Sequence, residues 1–150
     1  VYRRFLKEWY SRHEIAFKKR EPRLIHENGD MKHVMIIDNG FLYFDFEMSF
    51  RSRRKIRIFE FVSREILAYL KSLSRNVGQE LFKLYLEETV EHYPGTEFLQ
   101  NTYIVMFKHP NPVIRFARAL DRKIHPGAAK IHSKYNVALQ LKSLLDKKSG

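Results

Sequence analysis

The sequence predicts an α+β chain that is mainly helical: one β-hairpin, then a helical bundle. Three observations predict it. Apolar residues recur at helical spacing over most of the 150 positions. A single pair of apolar runs flanks an Asn-Gly turn. Finally, 44% hydrophobic and 14% aromatic residues suffice for the core of one compact domain spanning 1–150.

The elements follow in order. Tyr2, Phe5, Leu6, Trp9, His13, Ala16 and Phe17 form one helical stripe, Lys18-Lys19-Arg20 suits a helix C-terminus, and Pro22 stops the helix. Leu24-Ile25 leads into a polar loop, His26-Glu27-Asn28-Gly29-Asp30. Val34-Met35-Ile36-Ile37, Asp38-Asn39-Gly40 and Phe41-Leu42-Tyr43-Phe44 then read as a hairpin. Ile58, Phe59, Val62, Ile66, Leu70 and Leu73 make a long amphipathic stripe ended near Gly78. Leu81, Leu84, Tyr85 and Glu88 begin another helix, closed by Pro94-Gly95. Thr96 with Glu97 reads as a cap for the segment of Phe98, Leu99, Tyr103, Met106 and Phe107, although Tyr103 to Phe107 also reads as a strand. Asn111-Pro112 starts a helix carrying Val113, Phe116, Ala117 and Leu120. His125-Pro126-Gly127 breaks the chain, and Ser133 to Asp146 forms the last helix.

Composition excludes several chemistries. There is no cysteine, which removes disulfides, thiolate catalysis and cysteine-based zinc sites. No Gly-x-Ser-x-Gly supports a serine hydrolase. No apolar run reaches the ~20 residues of a membrane span. With no apolar signal region at the start, the expectation is a soluble, cytoplasmic protein. The formal net charge, +11, favours anionic partners. It is uneven: residues 1–20 carry seven basic and two acidic side chains, net +5, whereas residues 76–100 carry five Glu and one Lys, net −4. Arg51-Ser52-Arg53-Arg54-Lys55 is the densest positive run, and its plain reading is a solvated loop or helix start.

The stretch from His26 to Glu47 carries the chemistry. A hairpin folds its ends together, so Asp30, His33 and Asp45 are expected to face one another. Two carboxylates and an imidazole there would hold a divalent cation and leave one base free, as phosphoryl transfer requires. Each residue also has a plainer role. Asp45 suits a strand end accepting backbone hydrogen bonds, Asp30 a turn, His33 a surface strand and His26 a core histidine. His125 and His132 read as solvated surface, and Trp9 as core.

This order resembles the catalytic core of the protein-kinase-like superfamily, especially the lipopolysaccharide-core kinases, the RIO-type kinases and the aminoglycoside phosphotransferases. Asn28-Gly29-Asp30-Met31-Lys32 is similar to the family's His-Gly-Asp-Leu loop, and Asp45-Phe46-Glu47 to its Asp-Phe-Gly strand end. The resemblance implies ATP with Mg²⁺ or Mn²⁺ as cofactors, Asp30 as catalytic base, Lys32 on the transferring phosphoryl group and Asp45 as metal ligand. It also implies an acceptor site near Arg51, Arg53 and Arg54, suited to an anionic acceptor. Asn28 stands where the family has histidine, unless His26 fills that role. His33 is the nearest candidate for the metal-binding Asn, and an imidazole suits Mn²⁺ or Fe²⁺ better than Mg²⁺. No Gly-x-Gly-x-x-Gly and no Val-Ala-x-Lys strand precede the loop. The likeness covers nearly all 150 residues, so the chain looks like a C-terminal lobe without its nucleotide lobe.

Two other functions fit the sequence. One is a nucleic-acid or anionic-partner module resting on the basic clusters at 3–20, 51–55 and 122–134. No RNA-recognition, zinc-finger or helix-turn-helix signature accompanies them, and the Glu-rich 76–100 region interrupts a continuous basic face. The other is a kinase-like lobe kept as a scaffold, with no nucleotide binding.

Overall fold

The structure, a computed structural model, describes residues 1–46, 49 and 51–150. It is α+β and mainly helical. Helix α1 (Tyr2–Lys19) is followed by two short 3-10 turns (Pro22–Leu24 and Met31–His33) and an antiparallel hairpin of β1 (Val34–Ile37) and β2 (Gly40–Tyr43). Five helices complete it: α2 (Lys55–Asn76), α3 (Gln79–His92), α4 (Thr96–Phe107), α5 (Pro112–Ile124) and α6 (Lys134–Ser149). No helix among the described residues is long and apolar enough to cross a membrane.

Helix α2 is the axis. It is packed by α1, α3, α4 and α6, and residues on nearly all sides of it are buried, as expected of a core helix. Ile58, Val62, Ile66 and Leu70 are wholly enclosed, and Leu6, Phe82, Leu99 and Leu141 meet in the same core. The buried polar groups of α2 need partners, and besides Arg57 and the Phe59 carbonyl of the same helix they find them in several other segments. Glu60 lies 3.4 Å from His109, Ser63 donates to the Phe98 carbonyl, Ser72 donates to Asp30, and Ser74 meets His132 Nδ1 at 2.6 Å. The plain surface reading of His132 is therefore corrected: it is half-buried and tied to α2.

Helix α1 ends as its sequence predicts. Arg20 caps it in the left-handed conformation, and Pro22 opens the next turn. Asn111 caps α5 through Val113 N and Ile114 N, and Ser133 caps α6 through Asn136 N.

The segment Tyr103 to Phe107 takes the helical of its two readings, and it lacks a polar stripe because α4 is packed by both α2 and α6. Three local expectations about α4, α3 and the hairpin are corrected. The N-cap of α4 is Gly95, with no side-chain cap from Thr96. In α3 the buried residues are Phe82, Leu86, Thr89 and Val90, while Leu81 and Leu84 face solvent. In the hairpin, Ile37 pairs with Gly40, so the two-residue loop is Asp38-Asn39. Neither has a positive φ, so this is not the turn that Asn-Gly favours. A Cβ at Gly40 would stand 3.4 Å from the Arg4 and Glu8 side chains of α1, an ordinary contact, so space does not demand glycine there.

Candidate functional site

Isolated two-stranded hairpins are marginal in water, so something must hold this one. Its inner face does so: Phe41 stacks edge-on against Phe5 at 5.4 Å between ring centroids, and Tyr43 lies 6.3 Å from the same ring. The ladder continues one step past β2, with Phe44 N donating to the His33 carbonyl at 3.1 Å. His26 Nε2 lies 2.9 Å from the Phe44 carbonyl. Phe44 is thereby pinned on both sides, and the chain turns sharply at the next residue. Asp45 takes φ +65°, in the left-handed region that costs a non-glycine residue roughly 1 kcal/mol or more. Strain of this kind persists only where the surroundings impose it.

The turn sets Asp45 Oδ2 3.1 Å from His33 Nε2. Asp45 is exposed, whereas His33 is buried, and its Nδ1 has no hydrogen-bond partner among the described residues. Nδ1 is sealed from solvent, so a ligand shared with Asp45 would be reached through Nε2. The Asp45–His33 separation is that of a direct imidazole–carboxylate ion pair, and it is also the spacing of two donors each about 2.1 Å from one octahedral ion at right angles. Among the described residues no third His, Asp or Glu joins them in a metal-holding group. Glu47, the last residue of Asp45-Phe46-Glu47, lies outside the described residues.

Asp30 is held elsewhere in the same loop. Its Oδ1 accepts from Lys32 N at 3.0 Å and from Ser72 Oγ at 2.8 Å, so it caps the turn before β1 and anchors it to α2. Burial pushes its carboxyl up, but the Lys32 amide, the Ser72 hydroxyl and the charges of Lys32 and His33 outweigh that and hold it below the usual aspartate value. The plain reading of Asp30 as a turn residue is thus part of its role. Gly29 allows the approach: a Cβ there would meet the Glu65 carbonyl at 3.0 Å and Glu65 Cγ at 3.1 Å. The Lys32 side chain is exposed, as are those of Arg51 and Arg54. Arg53 reaches Glu21 at 3.5 Å. The expectation that Asp30, His33 and Asp45 converge is met for the last two, while the Asp30 carboxylate is directed to Ser72.

The sequence reading missed the group beneath this loop. Glu65, buried at the middle of α2, accepts from Arg12, from Trp9 Nε1 at 3.0 Å and from the backbone N–H of His26 at 2.9 Å. His13 Nε2 lies 3.3 Å away and His26 Nδ1 3.4 Å. Burial pushes the Glu65 carboxyl up, but Arg12 and its other partners win and hold it well below the ordinary carboxylate value. Burial pushes His13 the other way, below its ordinary value, so its ring is neutral beside the ionised Glu65. Arg12 also donates to the Leu24 carbonyl and lies over the rings of Tyr43 and Phe46 at 4.8 and 5.2 Å. His26 stacks on Phe46 at 4.0 Å. One buried ion pair thus reaches both ends of the loop-hairpin unit. Glu27 closes it outside by accepting from Ser49 N and Oγ. A Glu inside an apolar helical stripe was the available signal for Glu65.

No family model, no curated protein and no solved structure matches this chain.

Proposed function

We propose that the Asp30 loop and the Asp45 strand end form a phosphotransfer site, of the small atypical kinase type that the sequence resembles. The observation that carries this reading is the exposed Asp45, in the left-handed conformation, held 3.1 Å from Nε2 of the buried His33. Asp45 and His33 would hold Mg²⁺ or Mn²⁺, with nucleotide phosphates and water completing its shell. A mixed nitrogen and oxygen pair suits Mn²⁺ better. Bound there, the metal would neutralise charge on the phosphates of ATP.

Asp30, kept ionised by Ser72 and the Lys32 amide, is the base toward the acceptor hydroxyl. The exposed Lys32 ammonium offsets charge on the transferring group. Arg51, Arg53 and Arg54 follow the strand end and suit an anionic acceptor. An activity drawing on ATP goes with a cytoplasmic location. The two-donor count among the described residues favours one alternative: a kinase-like scaffold that binds no nucleotide. The net charge of +11 favours another, a nucleic-acid or anionic-partner module.

A thermal-shift titration with ATP plus Mg²⁺ or Mn²⁺, run beside Asp45→Ala, tests the proposal. The expected result is stabilisation that needs both metal and Asp45. Asp45 is exposed, so its removal leaves the fold intact. Equal shifts in both proteins would refute the assignment. No shift in either supports the scaffold. Salt-dependent RNA binding that survives loss of both Asp30 and Asp45 supports the anionic-partner module.

A further inference from the structure

A cavity of about 510 Å³ opens between the C-terminal half of α2, the end of α5 and the start of α6. That volume lies within the range of small-molecule sites. Its wall carries Lys71 and Arg75 from α2, Lys130 from the loop after α5, and Lys134 from the first turn of α6. These four cations face one carboxylate, Asp121, which already accepts from the Tyr135 hydroxyl and lies 3.6 Å from Lys134. Lys71, Arg75 and Lys130 have no acidic partner within ion-pair distance among the described residues, and neither Arg53 nor the other cations of the 51–55 run line this cavity.

The gathering of cations is set by the fold. Lys71 and Arg75 stand one turn apart on the axial helix and so share a face. Ser74, between them, fixes His132 at 2.6 Å, which holds the Lys130–Lys134 segment against α2. Helix α6 then starts here, with Ser133 as its cap and its N-terminal dipole adding to the positive field. Burial lowers the Lys71 ammonium from its ordinary value, and the facing charges of Arg75 and Lys134 lower it further. Without a ligand this arrangement is self-repulsive.

We infer that this cavity is a binding site for a small molecule carrying a diphosphate or longer phosphate chain. The excess of three positive charges sets the class. One terminal phosphate carries roughly −1.5 to −2 at neutral pH, which leaves part of the charge unmatched, and a second phosphate closes the difference. Arg75 supplies a planar fork for two oxygens and the lysines supply point charges. A nucleic-acid groove is disfavoured because the site is a local concavity rather than a track, and the neighbouring stretch 76–100 is net negative. The site is separate from the Asp30 and Asp45 region and does not depend on the phosphotransfer reading.

Calorimetric titration of the chain with sodium pyrophosphate, without divalent cation, tests this. One saturable site is expected. Lys71→Met and Lys134→Gln should each weaken it by about tenfold or more, the value of a charged hydrogen bond. Asp45→Ala should leave it unchanged. Lys71→Met should also keep or raise the ligand-free melting temperature, since it removes a repelling charge and retains the stem. The inference is overturned by an absence of saturable binding, or by unchanged affinity in both lysine variants. Loss of binding in Asp45→Ala would overturn it by placing the phosphate at the hairpin end. An RNA oligonucleotide that displaces pyrophosphate with a salt dependence of several phosphates would overturn it in favour of a nucleic-acid surface.

Discussion

A carboxylate with 1% of its side chain exposed stays charged only when fixed donors replace the water it has lost. Glu65 has them in Arg12, Trp9 and the His26 amide, and through them one side chain sets the position of the loop above it. Removing one partner of a buried pair leaves the other uncompensated, so Glu65→Gln should cost about 3–5 kcal/mol. The same groups fix the acid response. His13 is depressed from 6.5 and Glu65 from 4.5, so in each case the unfolded chain takes up the proton first as pH falls. Stability from His13 is full above about pH 6.5 and declines below it. Stability from Glu65 is full above about 4.5 and declines through its lower folded value. Urea unfolding across this range should show both declines in the native protein and a shallower lower one in Glu65→Gln, where Asp30, Glu21 and the other depressed carboxylates still take up protons. Identical curves for the two proteins below pH 4.5 would contradict the assignment. Sequence alone showed His26 as a buried, backbone-bonded histidine. It did not show Glu65, because its partners lie 39 to 56 residues away and only the folded path brings them together.

Among the elements, α5 departs most from what its sequence suggests. Its start, cap and stripe were all legible, since Asn111-Pro112 is a local signal and the spacing of Val113, Phe116 and Leu120 is helical. The direction of the stripe was not. None of its residues is buried: Val113 is 73% exposed, Phe116 69% and Ile124 69%. The helix instead turns Arg118 and Arg122 inward, with Arg122 lying over Phe107 at 4.7 Å. Periodicity fixes which residues share a face but not which face packs, and here the inward side carries Arg122 over Phe107 and Tyr135 and the Arg118 carbonyl bonded by the Tyr135 hydroxyl. Phe116→Ser should therefore change stability by less than about 0.5 kcal/mol. Leu99→Ala, at a fully enclosed position of α4, should cost about 2–5 kcal/mol. Chemical denaturation of the two variants checks the contrast, and equal losses would mean that α5 packs by its apolar face. The hairpin was legible as an element for the same local reason as α5, whereas its loop residues follow from a register that pairs Ile37 with Gly40, which a turn signal alone does not fix.

At the scale of the molecule, one long helix organises two separate polar centres. The middle of α2 holds the loop through Glu65, and its last turns hold Asp30 through Ser72 and the cationic cavity through Lys71 and Ser74. The loop and strand end were legible as candidates because a hairpin necessarily returns its ends to each other. The cavity was not, since its cations come from three segments between residues 71 and 134. Whether Asp45 and His33 hold the metal of a bound nucleotide is read from Mn²⁺ relaxation in NMR spectra of the chain with ATP present. Trace Mn²⁺ should selectively broaden the signals of Asp45, His33 and Phe44, and Asp45→Ala should abolish the effect. Broadening centred on other carboxylates, or equal broadening in the variant, would contradict it.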